Sequence, residues 1–257
     1  MKFYDALTDF IFTEQKPEKA DAIFVPGGLY GEIAQHAAEL YQQGFASLIV
    51  PSGKYSIVEG KFTEVQSPEK YKGRYFETES DFLTQILVDE FGVDAVINTG
   101  IAGSLNAQID IGDIVISTDV LHHDMDAVNF GYAPGQIPQM EVFSFVADEP
   151  MAELAEKVCH QVNPEIKVFR GRVVSGDQFI SDRATKDRIT EQFHGFCTEM
   201  EGAAIAQAAY LNQIPFIVIR AISDKADDSA SEDYPTFEKK AVEHSVRLVE
   251  GFLAAQA

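Results

Sequence analysis

Short apolar runs alternate along the chain with longer stretches of helical periodicity, and this alternation most constrains the fold. The run DAIFVPGG predicts a buried strand, GEIAQHAAELYQQGF an amphipathic helix, and SLIVPSG a second strand. The same order returns later, where GFCTEME, GAAIAQAAYLNQ and PFIVIRAISD predict a strand, a helix and a strand. Such units favour a mostly parallel sheet that is covered on both faces. The predicted fold class is α/β, a three-layer α/β/α sandwich with a mostly parallel central sheet.

Composition narrows the class of protein further. With 257 residues, 46% of them hydrophobic, the chain can build a sizeable core without metals or disulfides. Its formal net charge of −21 repels nucleic acid and anionic membranes, so neither is expected as a partner. The two cysteines, Cys159 and Cys197, have no CxxC spacing and predict reduced thiols. We therefore expect a cytoplasmic protein.

Two carboxylates follow two predicted strands near the end of the chain. Glu201 lies at the end of GFCTEME, and Asp224 ends the next strand. Parallel strands joined by a right-handed crossover share one edge, and ligands bind in the crevice outside it. The pair therefore predicts a pocket. Each residue alone also fits a structural role, Glu201 as a carboxylate favoured by a helix dipole and Asp224 as a helix cap or turn residue.

The segment TEMEGAAIAQAAYLNQIPFIVIRAISDKAD closely resembles the 5′-methylthioadenosine/S-adenosylhomocysteine nucleosidases of the nucleoside phosphorylase superfamily. The likeness extends upstream through GDQFISD, FGYAPGQIP, GDIVIS and VINTGIAGSL, and it covers roughly residues 84–257. It implies a nucleoside phosphorylase-like fold and hydrolysis of the N-glycosidic bond of these thio-nucleosides, with release of adenine. It implies no cofactor and no metal, although LHHDMD places two histidines beside two aspartates.

At the base end of the substrate, the resemblance assigns four residues. Asp224 matches the family's catalytic aspartate, which donates a proton toward N7 of adenine, and Ser223 helps to hold it. Phe179 and Ile180 match the pair that sandwiches adenine and offers it backbone hydrogen bonds.

At the sugar, the resemblance assigns five more. Glu201 matches the glutamate that binds the ribose hydroxyls, and Met200 the methionine that packs on the sugar. Arg220 matches a buried arginine that supports the site. Ala102 and Gly103 match the turn beside the ribose and purine.

The remaining matches concern closure and assembly. Tyr234 matches an aromatic residue on the mobile segment that closes over the ligand. The family lends three residues to its neighbour's 5′-alkylthio pocket, which implies a homodimer; they match Phe130, Tyr132 and Pro138. Some relatives keep an arginine just before the TG turn, where this chain has Asn98, and this favours water over phosphate as the nucleophile.

Residues 1–83 do not resemble the nucleosidases, whose N-terminal segment carries the glutamate that activates water. They resemble instead the DUF218 family, so two segments, 1–83 and 84–257, are predicted in a chimeric chain, and a single continuous sheet shared by both stays open. Glu32 follows a glycine turn and opens a helix, as the family's base does, and is a candidate substitute; a glutamate stabilised by the helix dipole is the alternative. A non-catalytic adenosine-ligand-binding protein and a DUF218-type protein stay open as rival functions.

Overall fold

The computed structural model describes residues 19, 23–25, 31–45, 49–51, 69–74, 76 and 79–256. The strands are β1 (Ile23–Val25), β2 (Ile49–Pro51), β3 (Val96–Ser104), β4 (Ile114–His122), β5 (Phe145–Val146), β6 (Val168–Ser175), β7 (Cys197–Glu199) and β8 (Phe216–Asp224). The α-helices are α1 (Glu32–Gln42), α2 (Glu79–Phe91), α3 (Glu149–Val162), α4 (Arg183–Phe193), α5 (Gly202–Leu211) and α6 (Ala230–Gln256), and short 3₁₀ helices span Glu69–Tyr71 and Val128–Phe130. No helix in these ranges is long and apolar enough to cross a membrane.

The main sheet is mixed and closes on itself, which corrects the predicted mostly parallel sandwich. Its strands follow the order β5-β4-β6-β7-β3-β8, and β4 also pairs with β8, so that five strands form a ring. The pairs β4–β6, β6–β7 and β3–β8 are parallel. The pairs β3–β7, β4–β8 and β4–β5 are antiparallel.

Two register shifts allow the ring to close. Along β3, the register with β8 shifts between Ala102 and Gly103, and from Gly103 onward the strand also pairs with β7. Along β4, a shift between Ser117 and Val120 separates the part that pairs with β8 from the part that pairs with β5. Such irregularities bend a strand and increase its twist, so one long strand can serve two neighbours. Alternation of strands and helices contains no information about these shifts, which is why the sequence predicted an open sheet.

The core of the ring is built from strands that are buried along their whole length and from a small-residue helix. All nine residues of β8 are buried, as its continuous apolar run predicts. Helix α5 packs against β3, β4, β5, β6 and β8. Its alanines, among them Ala203, Ala206 and Ala209, have no exposed surface and let the helix lie close to the strands. This close approach fixes the start of α5 beside the end of β7.

The N-terminal elements form a second core of their own. Strands β1 and β2 pair in parallel, separately from the main sheet, and α1, α2 and the first 3₁₀ helix pack around them. Tyr71, Phe76 and Phe82 meet there in edge-on and tilted ring contacts, with centroids 5.1 to 6.3 Å apart. These three rings are the largest side chains in the described part of this smaller core.

Helix α2 joins this N-terminal core to the ring. Phe82, Leu83, Ile86 and Leu87 all belong to the N-terminal core, while the same helix also packs against α5. The predicted division between residues 83 and 84 therefore falls inside a helix whose buried side chains lie in one cluster on both sides of the division. The DUF218-like segment remains a prediction.

Candidate active site

A small pocket lies where the ends of β3, β7 and β8 meet the loop after β6. Its volume is about 30 Å³, and it is lined by Gly103, Gln178, Phe179, Ile180, Thr198, Glu199, Met200 and Asp224. Five of these residues were predicted at the site from the sequence. The geometry that unites them differs from the prediction, because β3 separates β7 from β8 and runs antiparallel to β7.

Asp224 is the last residue of β8, and its side chain is held from two sides. Ser223 Oγ donates a hydrogen bond to Oδ2 at 2.9 Å, and the backbone N–H of Ala226 donates to Oδ1 at 2.8 Å. The residue is only 2% exposed, although it lines the pocket. These contacts fix the orientation of the carboxyl group, as the predicted role of Ser223 requires.

Gly103 leaves the space in which the Asp224 carboxyl group lies. A Cβ atom at this position would come within 2.7 Å of Asp224 Oδ1 and 2.8 Å of the Ala226 Cβ. Ala102 precedes it and is buried, and Ser223 Oγ lies 3.4 Å from the Ala102 carbonyl oxygen. The GIAG segment, predicted as a turn, lies within β3 at its register shift and contacts the Asp224 segment directly.

Glu199 is the carboxylate that the sequence reasoning passed over. It is buried and accepts hydrogen bonds from Ser175 Oγ, from Arg220 Nη2, and from the backbone N–H groups of residues 201 and 202, at 2.8 to 3.1 Å for the backbone contacts. Ser175 Oγ in turn accepts from the N–H of Ala203 at 2.7 Å. The backbone N–H groups at the start of α5, which have no acceptor within the helix, thus donate to Glu199 and Ser175. Strand alternation was the available signal, because Glu199 shares a face with the buried Cys197.

Arg220 completes this buried network. Its guanidinium contacts Glu199 and donates to Asn98 Oδ1, and only 3% of its side chain is exposed. A Cβ atom on Gly100 would lie 2.1 Å from Arg220 Nη1, so glycine at this position makes room for the arginine. Arg220 is therefore buried, as the resemblance implied, and its predicted role in supporting the site stays a prediction.

Glu201 is more exposed than the sequence suggested. Its side chain is 58% exposed, lies 3.8 Å from Arg220 Nη2, and makes no capping hydrogen bond to α5. The surrounding protein limits hydration of the carboxyl group and raises the pKa of Glu201, while Arg220 opposes this rise. The backbone N–H groups at the start of α5 donate to Glu199 instead.

The other predicted residues divide into those at the pocket and those away from it. Phe179, Ile180 and Met200 line it, with Phe179 and Met200 partly exposed at its mouth. Tyr234 lies in α6, and its side chain is outside the described residues. Glu32 is exposed at the first residue of α1 and does not line the pocket.

The three residues predicted to serve a neighbouring subunit lie in the segment after β4. Phe130 is the most exposed large apolar residue of the described chain, at 84%. Tyr132 and Pro138 are half-buried, and the Tyr132 hydroxyl accepts a hydrogen bond from the N–H of Gln139 at 3.2 Å. None of the three lines the pocket that contains Asp224.

A larger cavity of about 430 Å³ adjoins the pocket and shares Gln178 with it. His123 lines this cavity, and burial lowers the pKa of its imidazole. Both ring nitrogens lack a hydrogen-bond partner. The described residues contain no cluster of three histidine, cysteine or acidic side chains suited to a metal ion.

The chain is similar in sequence to a known family and to characterised members of it. The model of the Phosphorylase superfamily matches residues 78–254. The 5′-methylthioadenosine/S-adenosylhomocysteine nucleosidase of Anoxybacillus flavithermus is 43% identical over 168 residues, which are 65% of this chain and 72% of the relative. The enzyme of the same name from Chromohalobacter salexigens is 42% identical over 171 residues, 66% of this chain and 72% of the relative.

Solved structures agree with these relatives. The nucleosidase of Neisseria meningitidis in complex with methylthio-immucillin-A has a TM-score of 0.65 and 36% identity, covering 70% of this chain and 77% of that one. Futalosine hydrolase of Helicobacter pylori has a TM-score of 0.64 and 29% identity, covering 69% and 75%. Residues 1–77 lie outside the match to the family model.

Proposed function

Because the chain belongs to the phosphorylase superfamily, and within it to the 5′-methylthioadenosine/S-adenosylhomocysteine nucleosidases, we propose that it hydrolyses the N-glycosidic bond of these thio-nucleosides and releases adenine. The observation that carries the proposal is the pocket in which the fixed Asp224 carboxyl group lies beside Phe179, Ile180 and Met200.

The reaction needs a proton at the base. As the bond between C1′ and the purine breaks, positive charge grows on the sugar and negative charge on the adenine. Asp224 donates its proton toward N7, so that adenine leaves as a neutral base. Water adds to C1′ and its proton passes to solvent, which completes the thioribose product, and Asp224 regains from solvent the proton that it gave to adenine. Phe179 and Ile180 hold the purine.

The sugar end of the site is supplied by the two glutamates and Arg220. The exposed Glu201, next to the pocket-lining Met200, is proposed to accept hydrogen bonds from the ribose hydroxyls, while Met200 packs on the sugar. Negative charge beneath the ring also favours the cation that develops there. Glu199 holds Arg220 in place from the buried side. Glu32 remains a proposed substitute base, although its side chain does not line the pocket.

Hydrolysis is favoured over attack by phosphate. Among the described residues that line the pocket, none is a lysine or arginine. The adjacent Arg220 already contacts Glu199, Glu201 and the side-chain oxygen of Asn98. A phosphate ion at this site would meet two carboxylates and no free cation, so water is the proposed nucleophile.

We propose further that the protein is a cytoplasmic homodimer with an additional N-terminal α/β segment. The exposed Phe130, together with Val128 and Phe143, gives the segment after β4 an apolar surface suited to a second copy of the chain. Tyr132 and Pro138 would reach the neighbour's 5′-alkylthio pocket with it. Residues 1–83 form the proposed DUF218-like segment, and Tyr234 is proposed to close over the ligand.

Release of adenine from 5′-methylthioadenosine by the purified chain tests the proposal. We expect turnover by the wild type, and a loss of about 100- to 10,000-fold in kcat for Asp224→Asn, because a general acid contributes about this much. Asp228→Asn, the same change at an exposed position of the following loop, should leave turnover intact. Absence of both adenine release and adenine binding in the wild type would refute the assignment.

A further inference from the structure

We infer that the hydroxyl group of Thr198 binds the purine base and helps to select it. The inference deepens the proposed nucleosidase function and rests on it. Thr198 lies at the middle of β7, lines the pocket beside Asp224, and belongs to none of the roles assigned above.

The side-chain hydroxyl of Thr198 is a buried polar group without a hydrogen-bond partner. The residue is 5% exposed, and Oγ1 has no hydrogen-bond partner although it is removed from solvent. A buried hydroxyl without a partner destabilises a folded protein, and such groups are rare unless they have a function. A ligand that offers a polar atom at this position would satisfy it.

Strand register places this hydroxyl on the same side of the sheet as the Asp224 carboxyl group. Thr198 is directly opposite Gly103 in the antiparallel β3–β7 pair, and opposite residues point to the same face with Cβ positions about 5 Å apart. A Cβ on Gly103 would touch Asp224 Oδ1. The neighbours of Thr198 point the other way, Cys197 into the main core and Glu199 toward Arg220.

This division separates the base end of the substrate from the sugar end. Asp224, the proposed proton donor to the purine, lies on the Thr198 side of β7, whereas Glu199, which also lines the pocket, contacts Arg220 from the next position of the strand. A hydroxyl can both donate and accept, so Thr198 can pair with a ring nitrogen or with an exocyclic group on the purine edge. The pocket has room for only a water molecule or two, so the exposed side chains of Phe179 and Met200 must move apart to admit the base.

The isosteric variant Thr198→Val provides the test, with adenine as the probe in calorimetric titration. We expect a loss of about tenfold in adenine affinity, because the variant leaves a polar atom of the base without its partner. Thr198→Ser, which keeps the hydroxyl, should restore most of the affinity. Thr118→Val, at an exposed position of β4, is the matched control and should bind adenine as the wild type does.

Thermal unfolding of the ligand-free variants separates binding from a structural role. Thr198→Val should unfold at the wild-type temperature or above it, because it removes a buried hydroxyl that has no partner. Unchanged adenine affinity in Thr198→Val would overturn the inference while leaving the nucleosidase assignment intact. A lower unfolding temperature together with equal losses in the valine and serine variants would overturn it in favour of packing. A wild type that neither binds nor releases adenine would remove the proposed function, and the inference with it.

Discussion

Glu199 and Glu201 stand two residues apart, yet they belong to regions of opposite character. Glu199 lies in a buried cluster with Ser175, Arg220 and Asn98, in which every carboxylate oxygen has a partner. Glu201 follows the pocket-lining Met200, is more than half exposed, and has only a 3.8 Å contact to Arg220. A glutamate whose carboxylate is fully paired within the fold stabilises the structure. A glutamate without such partners stays available to a ligand.

The largest effect is expected at the buried cluster. Glu199→Gln removes the buried negative charge opposite Arg220 and leaves the guanidinium with only the exposed Glu201 as a counter-charge, at 3.8 Å. We expect unfolding in urea to show a loss of about 3–5 kcal/mol, as is usual when one member of a buried ion pair is removed. Glu191→Gln, the same change on the exposed surface of α4, should stay within about 0.5 kcal/mol of the wild type. Similar stabilities for the two variants would contradict the division between the regions.

A smaller effect is expected from crowding the same cluster. Gly100→Ala places a Cβ atom 2.1 Å from Arg220 Nη1, and the arginine cannot turn aside without losing its contacts to Glu199 and Asn98. Overpacking of this kind costs about 1–3 kcal/mol, measurable in the same urea experiment. A variant as stable as the wild type would mean that Arg220 is free to move and that the cluster is less rigid than its hydrogen bonds indicate.

The smallest effect on stability is expected for the exposed Glu201. The variant Glu201→Gln should instead affect turnover. We expect the free energy of unfolding to change by no more than about 0.5 kcal/mol. The value of kcat/KM should fall about 10- to 100-fold, because a charged acceptor for the ribose hydroxyls is lost. A fall in stability comparable to that of Glu199→Gln would abolish the contrast between the two glutamates.

Ionisation of Glu201 is expected to make both stability and turnover depend on pH. Its pKa is raised in the folded protein, so between its unfolded and folded values the native state binds more protons than the unfolded state does. Its contribution to stability therefore falls as pH rises through that window, and Glu201→Gln should gain slightly on the wild type above it. The acid limb of the kcat/KM profile should lie above the ordinary range for glutamate and disappear in the variant. An unchanged limb in Glu201→Gln would assign it to another group.

Local patterns in the sequence were enough to predict the elements but not their pairing. The run PFIVIRAISD predicted β8, and the alanine-rich run before it, GAAIAQAAYLNQ, predicted α5. The ring was not predicted, because its closure depends on register shifts in β3 and β4 and on contacts between distant strands. No helix lies between β3 and β4, and this absence was the available sign that the two strands are not parallel neighbours.

Contacts between candidate site residues were predictable from the sequence where the two partners are neighbours in the chain. Asp224 and Ser223 are adjacent in the chain, and their hydrogen bond follows from that adjacency. The role of Glu199 depends on Arg220 and Ser175, each more than twenty residues away, and on the start of α5. These partners come together only when the strands are assembled. The sequence therefore did not predict that Glu199 is the buried, paired glutamate.

The closed ring has a consequence for how the chain is made. The β4–β8 pairing joins Ile114 to Ala221, and synthesis proceeds from the N-terminus, so the ring cannot close until β8 has left the ribosome. Until then Glu199 lacks Arg220, and the Asp224 side of the pocket does not exist. A ribosome-bound chain that stops before β8 is therefore expected to expose β3 and β4 as unpaired edges to chaperones, and ligand binding can begin only after the last strand is in place.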